Sequence, residues 1–328
     1  MTRALITGGA GFVGSHLVSF LNDRAAELAV FATSNCGKAP GLHCYEVDVR
    51  DAIAVRSAIH DFRPDHLYHL AAVSSVGFAQ EFPRVTYEVN VLGTLNVLEA
   101  AMDLPQPPRI LNVSTAQVYA PSKSPLREDS PLAPDNPYAS SKAMAELLRV
   151  TYANNRAAGI VTVRSFNHVG PGQSPDFVLS SIAKQFAEIE AGRRAPRLQI
   201  GNAHVKRDFT DVRDVVRAYS SLLDAGAHNE IYNVCSGRSW AISRLIDEFQ
   251  SITGLEVVLD VQSGKVRPGE VNEICGDPAK LRDATGWEPA IPISTTIRDL
   301  LEYWRSAIRH GAHLEGFAGS QATAIVCP

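Results

Sequence analysis

Short apolar runs bounded by glycine, serine and charged residues alternate along the first half of the chain with longer stretches whose apolar positions recur every three to four residues. Ala4 to Thr7 is the first such run, and helical spacing follows from Phe12 to about Asn22. Leu28 to Thr33, His66 to Leu70 and Arg109 to Ser114 read as further strands, with helices predicted over Ala52 to Asp61 and through Asn90 to Met102. Alternation of this kind predicts an α/β fold, a doubly wound parallel sheet. Asp51, just ahead of the second helix, is the expected N-cap.

Beyond Ile160 to Ser165 the regularity breaks. Asn167-His168-Val169-Gly170-Pro171-Gly172 forms a turn-rich loop before a helix from Phe177 to about Gly192. Turns, short strands and helices then mix over Leu198 to Gly201, Val212 to Leu223, Ile231 to Val234, Ile242 to Thr253 and Glu256 to Val261. The expected division is a first domain over 1–166 with a return segment near 210–234, a smaller α/β lobe over 167–308, and an unassigned tail over 309–328. There is no internal repeat.

With 328 residues, a formal net charge of −4 and 45% hydrophobic content, the chain suits one large globular unit or two closely joined lobes. The mild acidic balance gives no reason to expect nucleic acid or an anionic membrane surface as a partner. Cys36, Cys44, Cys235, Cys275 and Cys327 show neither metal-ligand spacing nor a dense disulfide framework, so no metal is expected and they read as reduced thiols of a cytoplasmic protein. Met1-Thr2-Arg3 runs directly into the first strand, leaving no room for a signal peptide, and no apolar run approaches the roughly 20 residues of a membrane span.

The stretch Thr7-Gly8-Gly9-Ala10-Gly11-Phe12-Val13-Gly14 joins the first strand to the first helix, the setting in which glycines cradle a dinucleotide. Gly8 permits the tight turn, Gly11 lets backbone N–H groups approach a pyrophosphate, and Gly14 lets the helix pack close to the strand. Phe12 and Val13, opening the helix, are counted with them. The expected architecture is therefore Rossmann-type. Asp48, with Val49 beside it, is expected to hydrogen-bond an adenine amino group, and the small side chains of Leu70-Ala71-Ala72 to leave space for pyrophosphate and ribose. Asn90 is also placed among the cofactor contacts.

Tyr138 and Lys142, in Pro137-Tyr138-Ala139-Ser140-Ser141-Lys142, share a helix face one turn apart. The Lys142 ammonium is expected to stabilise the ionised phenol and lower its pKa, making Tyr138 a proton relay near neutral pH. Thr115, at a strand end with Ser114 alongside, is expected to hydrogen-bond a substrate oxygen while Tyr138 delivers its proton. Together with the glycine loop, these residues point to nicotinamide-dependent chemistry on a carbinol or a ketone.

Through TGGAGFVG, LAA, NVLGT, YASSK, NHVGPGQ, RDFTDVRD, YNV and RPGE, spread over nearly the whole chain to about Arg305, the sequence resembles the extended short-chain dehydrogenase/reductases that modify nucleotide sugars. Phe166 through Ala191 and Arg207 through Asp214 are most similar to GDP-6-deoxy-4-keto-mannose reductases and their relatives, the GDP-mannose 4,6-dehydratases. In the dehydratases a carboxylate two residues after the Ser/Thr helps remove a proton next to the new ketone. Here that position is Gln117, whose amide has no titratable proton near neutral pH. The resemblance, with this departure, implies reduction of the 4-keto group of a GDP-4-keto-6-deoxyhexose to a rhamnose-type or talose-type sugar. The alternatives are a 4,6-dehydratase that keeps its nicotinamide bound, another nucleotide-sugar epimerase or dehydratase, and a non-catalytic nucleotide-binding protein. GDP-fucose synthases carry a cysteine shortly after the strand-end serines; none follows Ser114, which disfavours epimerisation.

The resemblance also implies a set of contacts to the GDP-sugar. Asn167 matches a diphosphate or sugar ligand, Arg207 and Arg267 match arginines at the diphosphate and nucleoside end, and Glu270 matches an acid that holds ribose hydroxyls. Guanidinium forks suit such bidentate phosphate recognition. Lys184 and Val178, on the helix after the NHVGPG loop, and Ser74, Ser75 and Gln117 complete the set, with capping as the competing role for the two serines. His168 reads as a structural neighbour of Asn167. Thr33-Ser34-Asn35, with Lys38 beyond and no acid, favours NADP over NAD, Ser34 being the expected contact. A homodimer built from the Tyr138 helix and the helix near Asn90 is implied as well, and Ala143, Leu147 and Val150 are compatible with it.

Overall fold

The computed structural model describes residues 2–22, 24, 27–33, 42–155, 159–262 and 271–310. The apolar runs become β1 (Arg3–Thr7), β2 (Glu27–Ala32), β3 (Leu42–Glu46), β4 (His66–His69), β5 (Arg109–Thr115) and β6 (Ile160–Ser165). They pair in parallel in the order β3-β2-β1-β4-β5-β6, and β10 (Ile231–Val234) adds a seventh parallel strand beside β6. The order reverses between β1 and β4, the place where open α/β sheets hold ligands at the strands' carboxyl ends.

Both faces of this sheet are covered, which is why its strands read as nearly unbroken apolar runs. On one face α2 (Ala52–Phe62) and α5 (Gly93–Met102) pack Val55, Ile59, Phe62, Val97 and Leu98 with Leu5, Phe31, Leu67 and Ile110. On the other, α1 (Phe12–Asn22) and α8 (Val212–Ala225) bring Leu17, Leu21, Val215, Tyr219 and Leu222 against Ile6, Tyr68, Leu111 and Val163. The Asp51 carboxylate caps α2 by accepting from the N–H groups of Ile53 and Ala54, both at 3.0 Å. Two short helices, α3 (Val76–Glu81) and α4 (Pro83–Tyr87), lead through a π-helical turn at Glu88–Leu92 into α5. The long helix α6 (Pro137–Asn155) follows β5.

The second lobe holds β7 (Asn167–Val169), α7 (Val178–Glu190), β8 (Arg197–Ile200), β9 (Lys206–Asp211), β11 (Ser239–Ala241), α9 (Ile242–Thr253), β12 (Val258–Val261), β13 (Glu273–Ile274) and α11 (Ile293–Arg309). Strand β9 pairs with β7, β11 and β13, and β8 pairs with β12. Helices α7, α9 and α11 share a core in which Phe186 stacks on Phe249 at 5.4 Å and the Trp304 indole N–H donates to Ser180 Oγ at 3.0 Å. The chain returns to the main sheet through α8 and β10, and α10 (Ala279–Thr285) rests on α8 and β10.

Cys235 and Cys275 are free thiols, as expected. Cys44 is disulfide-bonded and corrects the expectation of a fully reduced set: it sits at an exposed position of β3, the sheet's edge strand, where a sulfur is open to pairing. Among the described residues no helix is long and apolar enough to cross a membrane, and no group of three or more His, Cys, Asp or Glu is arranged to hold a metal ion.

Candidate active site

At the carboxyl end of the sheet lies a cavity of about 610 Å³. The glycine loop forms one wall, and its glycines do different work. Gly8 has φ of +69°, and a Cβ there would come within 2.9 Å of the Ala71 backbone, so the turn needs glycine and the β4 end needs a small neighbour. A Cβ on Gly14 would lie 2.3 Å from Gly8 O and 2.6 Å from Gly9 Cα. A Cβ on Gly11 would meet only Gly8 O, at 3.2 Å, and would otherwise fill the cavity itself. Such a cradle, capped by the first-turn N–H groups of α1, fits a dinucleotide's pyrophosphate.

Beneath the loop, hydrogen-bond accounting fixes a buried chain. Thr94 Oγ1 gives its proton to Asn90 O (2.6 Å), so it accepts from His69 Nε2–H (3.0 Å); His69 Nδ1 then accepts from Thr7 Oγ1 (2.8 Å), which itself accepts from Ala71 N–H (3.1 Å). Burial, with a smaller push from the Lys142 charge, drives His69 down to about 3, so the ring is neutral and the chain static. It ties β1, β4 and the π-helical turn together at the switch point.

Tyr138 and Lys142 are both buried, 8% and 7% exposed, and reach the cavity floor beside Thr115. The expected lowering of the Tyr138 pKa is not what the structure shows. Burial raises it, and a hydrogen bond with the Thr115 hydroxyl offsets only part of that. The physical reason is that the Lys142 ammonium donates to Val113 O at 2.8 Å instead of pointing its charge at the phenol. Burial brings Lys142 itself down to about 8, against the opposing pull of Glu146. The resulting pair is a protonated phenol beside a buried ammonium.

The cavity gathers most of the expected positions: Gly8, Gly11, Phe12, Val13 and Gly14; Asp48 and Val49; Leu70, Ala71, Ala72 and Ser74; Ser114, Thr115 and Gln117; Tyr138 and Lys142; Asn167 and Val178. The Asp48 carboxylate accepts from Arg50 N (2.9 Å), Nε (2.9 Å) and Nη2 (2.6 Å). Burial works to raise its pKa, but Arg50 prevails and holds it below the usual carboxylate value.

Four expected positions fall outside the lining. Ser75 caps α3 by accepting from Phe78 N–H (3.2 Å), the competing role foreseen for it. The Asn90 amide is consumed within the fold, its oxygen accepting from Val73 N–H (2.8 Å) and its nitrogen donating to Val73 O and Ser141 Oγ. Lys184 pairs with Glu188 at 2.9 Å on α7, and Arg207 donates to Lys206 O at 2.8 Å. Ser34, Arg267 and Glu270 lie outside the described residues, as do Asn35, Lys38 and residues 311–328 of the tail.

Sequence reasoning missed Arg50, Gln173, Asp176, Phe177 and Ile274, which also line the cavity. Arg50, two residues beyond Asp48, carried a signal in the spacing of a ready ion pair; Gln173 and Asp176 sit in the turn before α7, Phe177 is its N-cap, and Ile274 belongs to the two-residue strand β13, too short for a period to expose it. His168 stacks on Phe12 with ring centres 6.1 Å apart and bonds to Phe166 O at 3.1 Å, a structural neighbour of Asn167 as anticipated.

A glycine-cradled crevice at the switch point of a parallel sheet, with Tyr138, Lys142 and Thr115 on its floor, is the site of an extended short-chain dehydrogenase/reductase. The family model for GDP-mannose 4,6 dehydratase matches residues 5–300, and the chain belongs to that family. It is 35% identical over 310 residues to GDP-6-deoxy-D-mannose reductase of Pseudomonas aeruginosa, covering 94% of this chain and 98% of that one. Its fold superposes on the structure of RMD from Pseudomonas aeruginosa complexed with NADPH with a TM-score of 0.83, 34% identity and coverage of 93% and 99%. UDP-glucose 4-epimerase of Thermus thermophilus, in complex with NAD, matches with a TM-score of 0.82, 31% identity and the same coverage.

Proposed function

We propose that this protein reduces the 4-keto group of a GDP-4-keto-6-deoxyhexose, forming the 6-deoxy-mannose (rhamnose) or talose product. The observation that carries the reading is Gln117, which lines the cavity with Thr115 at the position where the dehydratases have a carboxylate: an amide there cannot exchange a proton. A ketone reduction needs only one acid, and Tyr138, protonated and buried beside Thr115, can supply it.

A nicotinamide bound in the cavity supplies the hydride to the keto carbon. Tyr138 gives its proton to the keto oxygen, and Thr115 donates a hydrogen bond to the same oxygen. Lys142 holds the nicotinamide ribose and, as the charge balance shifts, the phenolate that Tyr138 becomes. Gly8, Gly11 and the start of α1 hold the pyrophosphate, Asp48 and Val49 the adenine; Asn167 and Val178 face the sugar diphosphate. NADP is the favoured cofactor, with NAD also used: Thr33, which lines the cavity, is followed by Ser34-Asn35 with no acid to hold a ribose 2′-hydroxyl.

The test is to supply GDP-4-keto-6-deoxymannose with NADPH or NADH, follow the loss of reduced-cofactor absorbance and identify the sugar by NMR. Turnover is expected, with NADPH preferred. The second reading, a 4,6-dehydratase with bound cofactor, is favoured by one observation: Asp176 also lines the cavity, and its hydrogen bonds among the described residues run to Ser174, whose Oγ meets both the carboxylate and the backbone N–H. Conversion of GDP-mannose to the keto sugar without added cofactor, lost in Asp176→Asn, would establish that reading instead. A merely nucleotide-binding role would leave cellular function untouched by Tyr138→Phe.

The protein is further proposed to act as a cytoplasmic homodimer. Leu92 (52% exposed), Met144, Leu147 (68% exposed) and Val150 present apolar side chains to solvent along the π-helical turn and α6, where a second copy would cover them. Light scattering on a sizing column gives the mass directly; a monomer at micromolar concentration would remove this proposal.

A further inference from the structure

Ser114 and Thr115 are neighbours on β5 and both line the cavity, yet their hydroxyls are in opposite hydrogen-bonding states. Thr115 Oγ1 accepts from Gln117 N–H at 3.3 Å and is hydrogen-bonded to the Tyr138 phenol, so its proton stays at the reacting end of the cavity. Ser114 Oγ donates to Glu146 Oε1 on α6 at 2.5 Å. The direction of that bond follows from what holds Glu146. The acid is 5% exposed and takes Arg164 Nε at 3.0 and 3.3 Å and Nη2 at 2.8 Å, and Arg164 is 3% exposed. A buried acid in a two-pronged pair with guanidinium is a carboxylate, which accepts and never donates. Arg164 is fixed in turn, through Nη1 to Glu128 O at 3.0 Å and by lying 4.7 Å from the Tyr119 ring centre, so the pair does not swing away. A serine whose proton is committed in this way offers only lone pairs to the cavity. It can receive a hydrogen bond from a hydroxyl and has nothing to give a ketone.

We propose that Glu146 is a positioning residue that, through Ser114, turns a hydrogen-bond acceptor toward the sugar hydroxyl next to the reacting ketone, leaving donation to the ketone oxygen to Tyr138 and Thr115. The assignment rests on the ketone-reduction reading above. In a 4-keto-6-deoxyhexose, C5 carries the methyl group and the ring oxygen, so the only hydroxyl adjoining the ketone is at C3. Ser114 therefore selects for a free C3 hydroxyl. A donor at this point would offer the keto oxygen a second seat away from the Tyr138 phenol; the carboxylate below removes it.

The experiment compares kcat and KM of wild-type protein, Ser114→Ala and Glu146→Gln on the 4-keto sugar and on its 3-deoxy counterpart. Ser114→Ala is expected to lose about ten-fold in kcat/KM on the full sugar, the worth of one hydrogen bond, and nothing on the 3-deoxy sugar. In Glu146→Gln the amide donates to Ser114 and frees its proton, and the preference for the C3 hydroxyl shrinks. An equal loss on both sugars, carried in kcat, makes Ser114 a donor to the ketone and overturns the proposal. An infrared difference spectrum between wild type and Glu146→Gln judges the bond without turnover: loss of carboxylate stretches is expected, whereas loss of a protonated-carboxyl band reverses the bond and overturns the proposal even if reduction is observed. Should the unpaired Arg164 keep Glu146→Gln from folding, the shift of the same carboxylate stretches in Ser114→Ala carries the measurement. If wild-type protein reduces neither sugar, the reductase reading fails and takes the C3 assignment with it, while the infrared result still stands for the bond.

Discussion

Replacing Lys142 by methionine should make this protein more stable and inactive. The ammonium is buried, and burial brings it from an ordinary 10.5 down to about 8. At about 1.4 kcal/mol per unit, the folded state then carries a penalty of roughly 3 kcal/mol at pH 7.5 relative to an unfolded chain that keeps its lysine solvated. Methionine fills nearly the same volume with no charge to bury, but it leaves the Val113 carbonyl without its donor, which costs about 1 kcal/mol. The net expectation is a gain of about 2 kcal/mol at pH 7.5. The sign with pH follows from the depressed pKa: between about 8 and 10.5 the unfolded chain binds the proton and the folded one does not, so wild-type stability rises with pH through that window. By pH 9.5 the penalty has shrunk by about 2 kcal/mol, and the variant's advantage should be gone. Urea denaturation of both proteins at the two pH values, followed by tryptophan fluorescence, measures this. A variant less stable than wild type at pH 7.5, or an advantage that does not change with pH, would refute the argument that the ammonium is held at a cost.

Three further outcomes are expected. Tyr138→Phe should lower the reduction rate by at least about a hundred-fold while leaving the NADPH dissociation constant within about two-fold, as read by quenching of protein fluorescence. Gly14→Ala should abolish cofactor binding in calorimetry, because its Cβ would press on backbone atoms of Gly8 and Gly9 that no side-chain rotation can move; binding at wild-type strength would show that the loop relaxes. Trp304→Ala, which empties the junction of α7 and α11 and leaves Ser180 without its indole partner, should cost about 3–5 kcal/mol in denaturant unfolding, with the second lobe melting first.

The sequence was most legible where period and chemistry agreed. β1, α1, α2, β5, β6 and α9 lie where the apolar spacing predicted them, and Asp51 caps α2 as its position required. β3 escaped because it is an edge strand with a mostly exposed pattern, Leu-His-Cys-Tyr-Glu, which carries no buried run. β7, β11 and β13 escaped because they are only two or three residues long and pair with segments far away in sequence, and β9 because it is built from Lys-Arg-Asp-Phe-Thr-Asp, whose buried Asp208 is satisfied by the N–H groups of Ser236, Gly237 and Gly276 and the Ser236 hydroxyl once the lobe has folded. α11 is strongly amphipathic but falls in a stretch to which the sequence analysis assigns no element. At the site, residue types and spacing brought Tyr138, Lys142, Thr115 and the glycines together, but the direction of the Tyr138 shift was not legible. Helical spacing says that a lysine is near; it does not say that a carbonyl from the neighbouring strand will accept the ammonium's hydrogen bond. Asn90 fails in the same way, because an asparagine in a π-helical turn has its amide claimed by a loop seventeen residues earlier.

Phe12 begins the helix that faces the pyrophosphate cradle, and its ring lies against His168, while His16 one turn on donates from Nε2 to Pro171 O at 2.9 Å. The glycine-loop wall and the 167–172 loop thus share a party wall. A chimera that takes its second lobe from one relative and its parallel-sheet domain from another would cut through that wall, and positions 12, 16, 168 and 171 would have to travel together. The two lobes are interleaved in sequence, α8 and β10 returning to the main sheet between β9 and β11, and they are not interchangeable parts: a change in the 167–172 loop is felt at the glycine loop's helix.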